Sequence, residues 1–356
     1  MLLTSFHDEL VAIVFGLLAG IIAILTGTLV HHGWIARRMR ADSLRAATLL
    51  PLVCDWVCDP ARCEPALDEI RASDRRSILP MLLQLALDLR GDESARIGRL
   101  AVAIGLADAE SRRLRSWRVT VRAEAAKNLG LLRVRSALPA LLELVKRDPH
   151  FEVRHAGAWA LGEIGGDEAV SGLLSLLEDP HPGVVRRAQE LLLGTGPGCA
   201  GKVIENARVS RVPAARLAAV EILGVLRDPG ATGLLLELAD HADPELRIKA
   251  IKSAAAIADP RALVAFQKLI RDPLWEIRCQ AATGLGALGS TASIPALRTA
   301  LADEEWWVRF NSARALYEMG ELGRRVLEEV SGERDSRSGE VARYVLGRSD
   351  STRMAA

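Results

Sequence analysis

Aromatic residues make up only 4% of this 356-residue chain, with two Tyr. Alternating runs of Val, Ile and Thr are also scarce, and both shortages argue against a β-sheet. No sign of charge is in excess. The net charge is +1, so no global field recruits nucleic acid, and no nucleic-acid partner is expected. The five cysteines, Cys54, Cys58, Cys63, Cys199 and Cys279, are odd in number and lack paired spacing, which excludes a disulfide framework. Three of them cluster in VCDWVCDPARC. A three-thiolate metal site needs a fourth ligand and no His lies nearby in sequence, so these read as buried reduced thiols and no metal is expected. Signatures such as G-x-S-x-G and H-E-x-x-H are missing as well. The expectation is a non-enzymatic binding protein with no cofactor and no evident small-molecule substrate.

Ala, Leu, Gly and Arg are plentiful, and 40 of the 46 basic residues are Arg. Such a composition favours helices. The length suits two or three domains or one elongated array.

Leu10 to Val30 (LVAIVFGLLAGIIAILTGTLV) carries no charge. As a helix rising roughly 1.5 Å per residue it is long enough for a ~30 Å hydrocarbon core. The preceding residues hold Asp8 and Glu9 and no Lys or Arg, which does not suit a signal peptide. After the run come Arg37, Arg38 and Arg40, with Trp34 placed for the interface. The expectation is a single-pass inner or plasma membrane anchor, with the N-terminus out and the rest in the cytoplasm.

One string recurs at a fixed interval. It begins VRAEAAKNLG at Val121, VRHAGAWALG at Val153 and VRRAQELLLG at Val185, and returns four more times. The arginines are Arg122, Arg154, Arg186, Arg216, Arg247, Arg278 and Arg309, spaced 32, 32, 30, 31, 31 and 31. The residue before each is apolar, and the residue seven after each is Leu or Ala, so both lie on one helical face. Gly130, Gly162, Gly194, Gly224 and Gly286 follow where a helix is expected to end. A second apolar helix fills the rest of each unit. Asp-Pro pairs at Asp148, Asp179, Asp243 and Asp272 are read as caps of the next helix. Two helices in about 31 residues, repeated, make an α-solenoid.

Across about residues 118–320 these units resemble HEAT repeats of the short, phycobilisome-lyase-like type. The resemblance implies stacked helical hairpins in which the repeated Arg forms a ladder with acidic residues of neighbouring units. Here that carries to Arg154, Arg186, Arg247, Arg278 and Arg309, with partners among Asp148, Asp179, Asp243, Asp272 and Asp303. HEAT-type deoxyhypusine hydroxylases bind iron through His-Glu pairs, and this chain has no His-Glu dipeptide.

The sequence therefore predicts an all-α chain: a HEAT-type solenoid plus one N-terminal transmembrane helix. Its segments are a short extracytoplasmic stretch (1–9), the membrane helix (10–30), a basic juxtamembrane segment (31–40) and divergent helical pairs (41–117). HEAT-like repeats (118–348) and a disordered tail (349–356) follow.

GPGCAGKV, from Gly196, imitates a phosphate-binding loop. It follows a helical segment, and Val203 replaces the Ser or Thr that would meet Mg²⁺, so it is rejected as a nucleotide site. Lys202 falls in a column with Pro139, Ser171, Gly233, Val264 and Pro295, near a helix start. Gln189, Glu190 and Gly196 replace small or apolar residues of sister units, which predicts a soft joint over 189–202.

Rows two and five after each Arg are mixed in polarity, which means exposure. They supply Lys127, Trp159, Lys249, Lys252, Gln280, Asn311 and Arg314 as candidate partner contacts. Phe151, Trp275 and Trp306 share one register and Trp307 lies beside the last, which predicts an aromatic rim. The expected function is a membrane-anchored scaffold that binds another protein, with a membrane protein among the candidates. The alternatives are a lyase- or isomerase-like protein acting on a protein-bound tetrapyrrole, by resemblance alone, and a nucleic-acid-binding solenoid.

Overall fold

The computed structural model describes residues 2–59, 70, 72–89, 91–333 and 336–354, with side chains described from 18 to 347 apart from Ala19. Among the described residues there are helices and turns and no strand. The chain divides into two compact units: residues 1–115 with 131–137, and residues 116–130 with 138–356.

The first unit contains α1 (Leu2–Cys58), α2 (Arg75–Asp88), α3 (Asp92–Ala103) and α4 (Leu106–Arg113). Val53 and Trp56 of α1 are buried, as are Ile78 and Leu82 of α2 and Ile97 and Leu100 of α3. These residues recur at helical spacing, so each helix turns one apolar stripe inward. Arg45 on α1 clamps the Asp74 carboxylate through two hydrogen bonds of 3.0 and 2.9 Å.

One expectation finds no support in this unit and another fails. The run Leu10–Val30 is the early part of one 57-residue helix, which continues without a break through Arg37, Arg38 and Arg40 to Cys58. Among the described residues no helix is long and apolar enough to cross a membrane; the side chains of 10–17 and of Ala19 lie outside them. Cys54 and Cys58 are exposed rather than buried, because the buried stripe of α1 runs through Val53, Trp56 and Val57. Cys63 lies outside the described residues.

The second unit repeats a helical hairpin. The arginine-bearing helices and their partners alternate: α5 (Val119–Leu131), α6 (Leu138–Arg147), α7 (Phe151–Ile164), α8 (Asp167–Ser175), α9 (Pro182–Gly194), α10 (Ala200–Val209) and α11 (Pro213–Leu226). Then come α12 (Thr232–Leu238), α13 (Pro244–Ile257), α14 (Leu263–Leu269), α15 (Trp275–Leu288), α16 (Ile294–Ala300), α17 (Trp306–Glu318) and α18 (Glu321–Ser331). The closing helix α19 (Arg337–Met354) runs through most of the segment expected to be a disordered tail.

Each arginine-bearing helix ends on a residue with positive φ: Arg133, Gly165, Gly196, Arg227, Ala258, Gly289 and Gly320, between 49° and 79°. That column repeats at 32 and then five times at 31. A left-handed residue stops the helix and turns the chain into the next one. This is the role of Gly196, and it accounts for the look of a phosphate loop.

The earlier column, Gly130, Gly162, Gly224 and Gly286, does something else. A Cβ on Gly130 would sit 2.6 Å from the Ala160 Cα, and one on Gly286 2.6 Å from the Ala315 Cβ. These glycines let neighbouring helices touch; they do not end them. Asp243 caps α13 as predicted, with Pro244 opening the helix. After Asp148, Asp179 and Asp272 the helices start later, at Phe151, Pro182 and Trp275. There the carboxylate instead accepts from the backbone N–H two residues on.

Candidate functional site

The aspartates freed from capping serve the arginines. Arg122 donates to both oxygens of Asp148, at 2.6 and 3.0 Å. Arg154 does the same to Asp179 at 2.6 and 2.8 Å, and Arg278 to Asp303 at 2.7 and 2.8 Å. Arg247 donates to Asp272 at 2.6 Å. In each case the Arg reaches one unit forward, 25 or 26 residues along the chain. Each of these arginines also donates to a backbone carbonyl of the turn before its own helix. Arg309 binds the carbonyls of Asp303 and Glu304, and Arg216 that of Ala207.

Arg186 is missing from this ladder. The buried positions of α9 are Val184, Ala188 and Leu192, one residue earlier than the motif alignment requires. Val184 takes the place of Val153 and Ala215, so Val185 stands at the arginine register and Arg186 turns out to solvent. The position 25 residues on from Val185 is Ser210, so no carboxylate stands in the ladder place there.

The same slip puts Leu193 in the glycine column and Gln189 in a column otherwise held by Ala126, Ala158, Val220, Ile251, Ala282 and Ala313, all fully buried. At this seam Leu193 faces the register of Ile222, whereas the next seam sets Gly224 against Ser253. Larger side chains hold α9 off α11. The result is a groove of about 540 Å³ between α9, α11 and α13. Gly194, assigned to the glycine column by the motif, is clear of it: a Cβ there would meet nothing within 4 Å.

The groove floor is apolar, built from Leu193, Ile222, Val225 and Ala256. Around it stand Arg186, Arg227, Lys249 and Lys252, with Glu190 and Glu221. Glu221 accepts from Lys249, and Glu190 pairs with Arg187 at 3.1 Å. The side chains of Arg186, Arg227 and Lys252 have no hydrogen-bond or ion-pair partner among the described residues. Ser253 is occupied, donating to the Val220 carbonyl at 2.9 Å.

Of the residues expected to contact a partner, Lys249 and Lys252 line this groove and the others do not. Lys127 and Arg314 are exposed on α5 and α17, and Gln280 is half-buried on α15. Trp159 is half-buried and lies against Gly130, within the seam. Asn311 donates to the Trp307 carbonyl at 2.8 Å and to the buried Cys279 Sγ at 3.0 Å. The aromatic residues do not form one rim. Phe151 stacks on His181 with centroids 3.8 Å apart, and Trp275 stands without a ring neighbour among the described residues. Trp306 and Trp307 gather instead with Phe310 and Tyr344. Lys202 donates to the Asp167 carbonyl at 2.7 Å, a tie between neighbouring units that leaves no phosphate role. Sequence reasoning missed Arg227, Leu193 and the groove itself. Its one available signal was the 32-then-30 stumble in the arginine column, where the second-helix column runs at a steady 31.

Models of HEAT repeats match residues 108–194, 202–273 and 264–346, more than half of the chain. The chain belongs to the HEAT-repeat family. It is 35% identical over 88 residues to the bilin biosynthesis protein PecE of Nostoc sp. strain PCC 7120, a stretch covering 25% of this chain and 34% of that protein. It thus spans about a third of the length of this curated relative.

Among solved structures, the complex of CpcE and CpcF of phycocyanin lyase from Nostoc sp. PCC7120 matches at 23% identity and a TM-score of 0.30, over 66% of this chain and 91% of that one. Kap121p bound to Nup53p matches at 15% identity and a TM-score of 0.50, over 83% and 39%; that likeness is one of fold alone. The similarity to a bilin biosynthesis protein overturns the expectation of a non-enzymatic chain, and the expectation of no small-molecule substrate finds no support in it.

Proposed function

We propose that this chain is a lyase- or isomerase-type subunit that handles a linear tetrapyrrole carried by, or delivered to, a partner protein. The observation that carries this reading is the 35% identity with PecE over 88 residues. The groove supports it. Its volume falls in the roughly 300–1,000 Å³ range of small-molecule sites, and it joins an apolar floor to a few convergent charges. The exposed Trp306 and Trp307 leave surface for the partner protein. The role assigned to the chain is to bind and orient: the groove lining holds carboxylates and cations but no thiol. Titration of the purified chain with biliverdin, followed by visible absorption, tests the reading. A saturable shift of the bilin band is expected, and an unchanged spectrum counts against it.

The membrane anchor stays a proposal of its own. It is supported by the charge-free run Leu10–Val30 and by exposed Ile21, Ile24, Leu25 and Leu29 on α1. Flotation of the full chain with liposomes, but not of a chain lacking residues 1–40, is the outcome that favours it.

A further inference from the structure

We propose that the groove between α9, α11 and α13 is the tetrapyrrole site, with Arg186, Arg227 and Lys252 holding the bilin's propionate carboxylates. The inference rests on the bilin reading above. It goes further by assigning a place and a mode of recognition.

Three observations converge on this groove. First, it exists because the repeat is broken there: Leu193 stands in the glycine column and Gln189 in a column of buried small or branched residues. Here the core gives up a close seam and gains a lined opening. Second, the break frees an arginine. The one-residue slip takes Arg186 out of the ladder register, and its side chain lines the groove without a partner among the described residues.

Third, Arg227 ends α11 at φ 53°, a left-handed conformation that non-glycine residues seldom adopt. An arginine there places a cation at the groove's end, again unpaired. Lys252 on α13 completes the set, one turn from the Lys249–Glu221 pair. A linear tetrapyrrole is an elongated, mostly apolar molecule with two propionates and a row of pyrrole N–H groups. Unpaired cations suit the propionates, the strip from Leu193 to Ala256 suits the rings, and Glu190 and Glu221 offer acceptors to the N–H groups.

The test uses the full chain, biliverdin and its dimethyl ester, which lacks both carboxylates. Arg186 and Lys252 are exposed and unpaired, so R186E/K252E removes the clamp without removing a packing contact. Circular dichroism melting verifies that the variant folds. Wild type is expected to bind the diacid about tenfold more tightly than the diester, on the order of two surface charge contacts. R186E/K252E is expected to lose that preference. A256W, which fills the floor from an exposed position, is expected to weaken both ligands. K127E/R314E makes the same charge change elsewhere on the repeat and is expected to leave binding unchanged.

If R186E/K252E and A256W bind the diacid as wild type does, the groove assignment is overturned while the bilin reading stands. If K127E/R314E loses as much as R186E/K252E, a general field and not the groove is responsible, which also overturns it. Wild type that binds neither ligand overturns both readings.

Discussion

Asp179 shows how much one ladder residue carries. Its side chain is 4% exposed, and Arg154, which grips it through two hydrogen bonds, is 11% exposed. Burial alone would raise the carboxyl's pKa. Hydrogen bonds from the Arg154 guanidinium and the His181 N–H outweigh that and hold it below the usual carboxylate range. Asp148 and Asp303 sit in the same balance, beside Arg122 and Arg278. A depressed folded pKa gives stability that is full above the unfolded value of about 3.9 and is lost as pH falls through the lower folded values. Arg154→Ala strands a buried carboxylate, at a cost of about 3–5 kcal/mol near neutrality. Urea unfolding should show that gap at neutral pH and a narrower one in acid, where Asp179 takes up a proton. A gap that does not change with pH would mean that the lost packing of the arginine stem, not the ion pair, sets the cost. The arginine column was legible from its recurrence alone. The set of partner aspartates followed from the resemblance to HEAT repeats, but which aspartate meets which arginine did not, because the link spans 25 or 26 residues and is made by stacking.

At the scale of the element, two columns of similar composition have opposite jobs. Gly196 terminates α9 at φ 73°, in a column that also holds Arg133, Arg227 and Ala258. Its mixed residue types hid that column from sequence reasoning, since the shared property is a backbone angle. Gly286 belongs to the packing seam, and a methyl there would meet the Ala315 Cβ at 2.6 Å. Gly286→Ala should therefore destabilise the unit by about 1–3 kcal/mol, since the crowded seam cannot give way freely. Gly194 shares the motif position but faces open space, and Gly194→Ala should stabilise by up to about 1 kcal/mol through lower helix-fraying entropy. Thermal melting of the two variants separates the roles: shifts of the same sign would contradict the assignment of the two glycines to different registers. The helices themselves were readable because each buries one apolar stripe. The slip in α9 was not, because VRRAQELLLG shares the opening Val-Arg and closing Leu-Gly of the two strings before it while its buried stripe runs through Val184, Ala188 and Leu192.

At the scale of the molecule, a repeat stack is held together unit by unit, so its stability is close to a sum of hairpins and the seams between them. A single poor seam then divides the cooperativity of the second compact unit. The α15–α17 seam sets Gly286 against Ala315 and α14 sets Phe266 against Gly284 of α15, while the α9–α11 seam has Leu193, Gln189 and an open groove in place of such contact. Opening free energy should fall where buried apolar contact is sparse. Amide hydrogen exchange is therefore expected to run faster over Gln189–Lys202 than over Pro244–Leu288, under conditions where the chain as a whole stays folded. The sequence pointed to softness in that stretch from Gln189, Glu190 and Gly196, and the structure adds Leu193, which with Gln189 is too large for the seam. A ligand that fills the groove bridges α9, α11 and α13 and replaces the missing contact, so biliverdin should slow exchange in Gln189–Lys202 more than in any later hairpin. Protection over 189–202 equal to that of Pro244–Leu288 in the free chain would show that the seam is sound despite the groove. Slowing spread evenly along the repeats would place the ligand elsewhere.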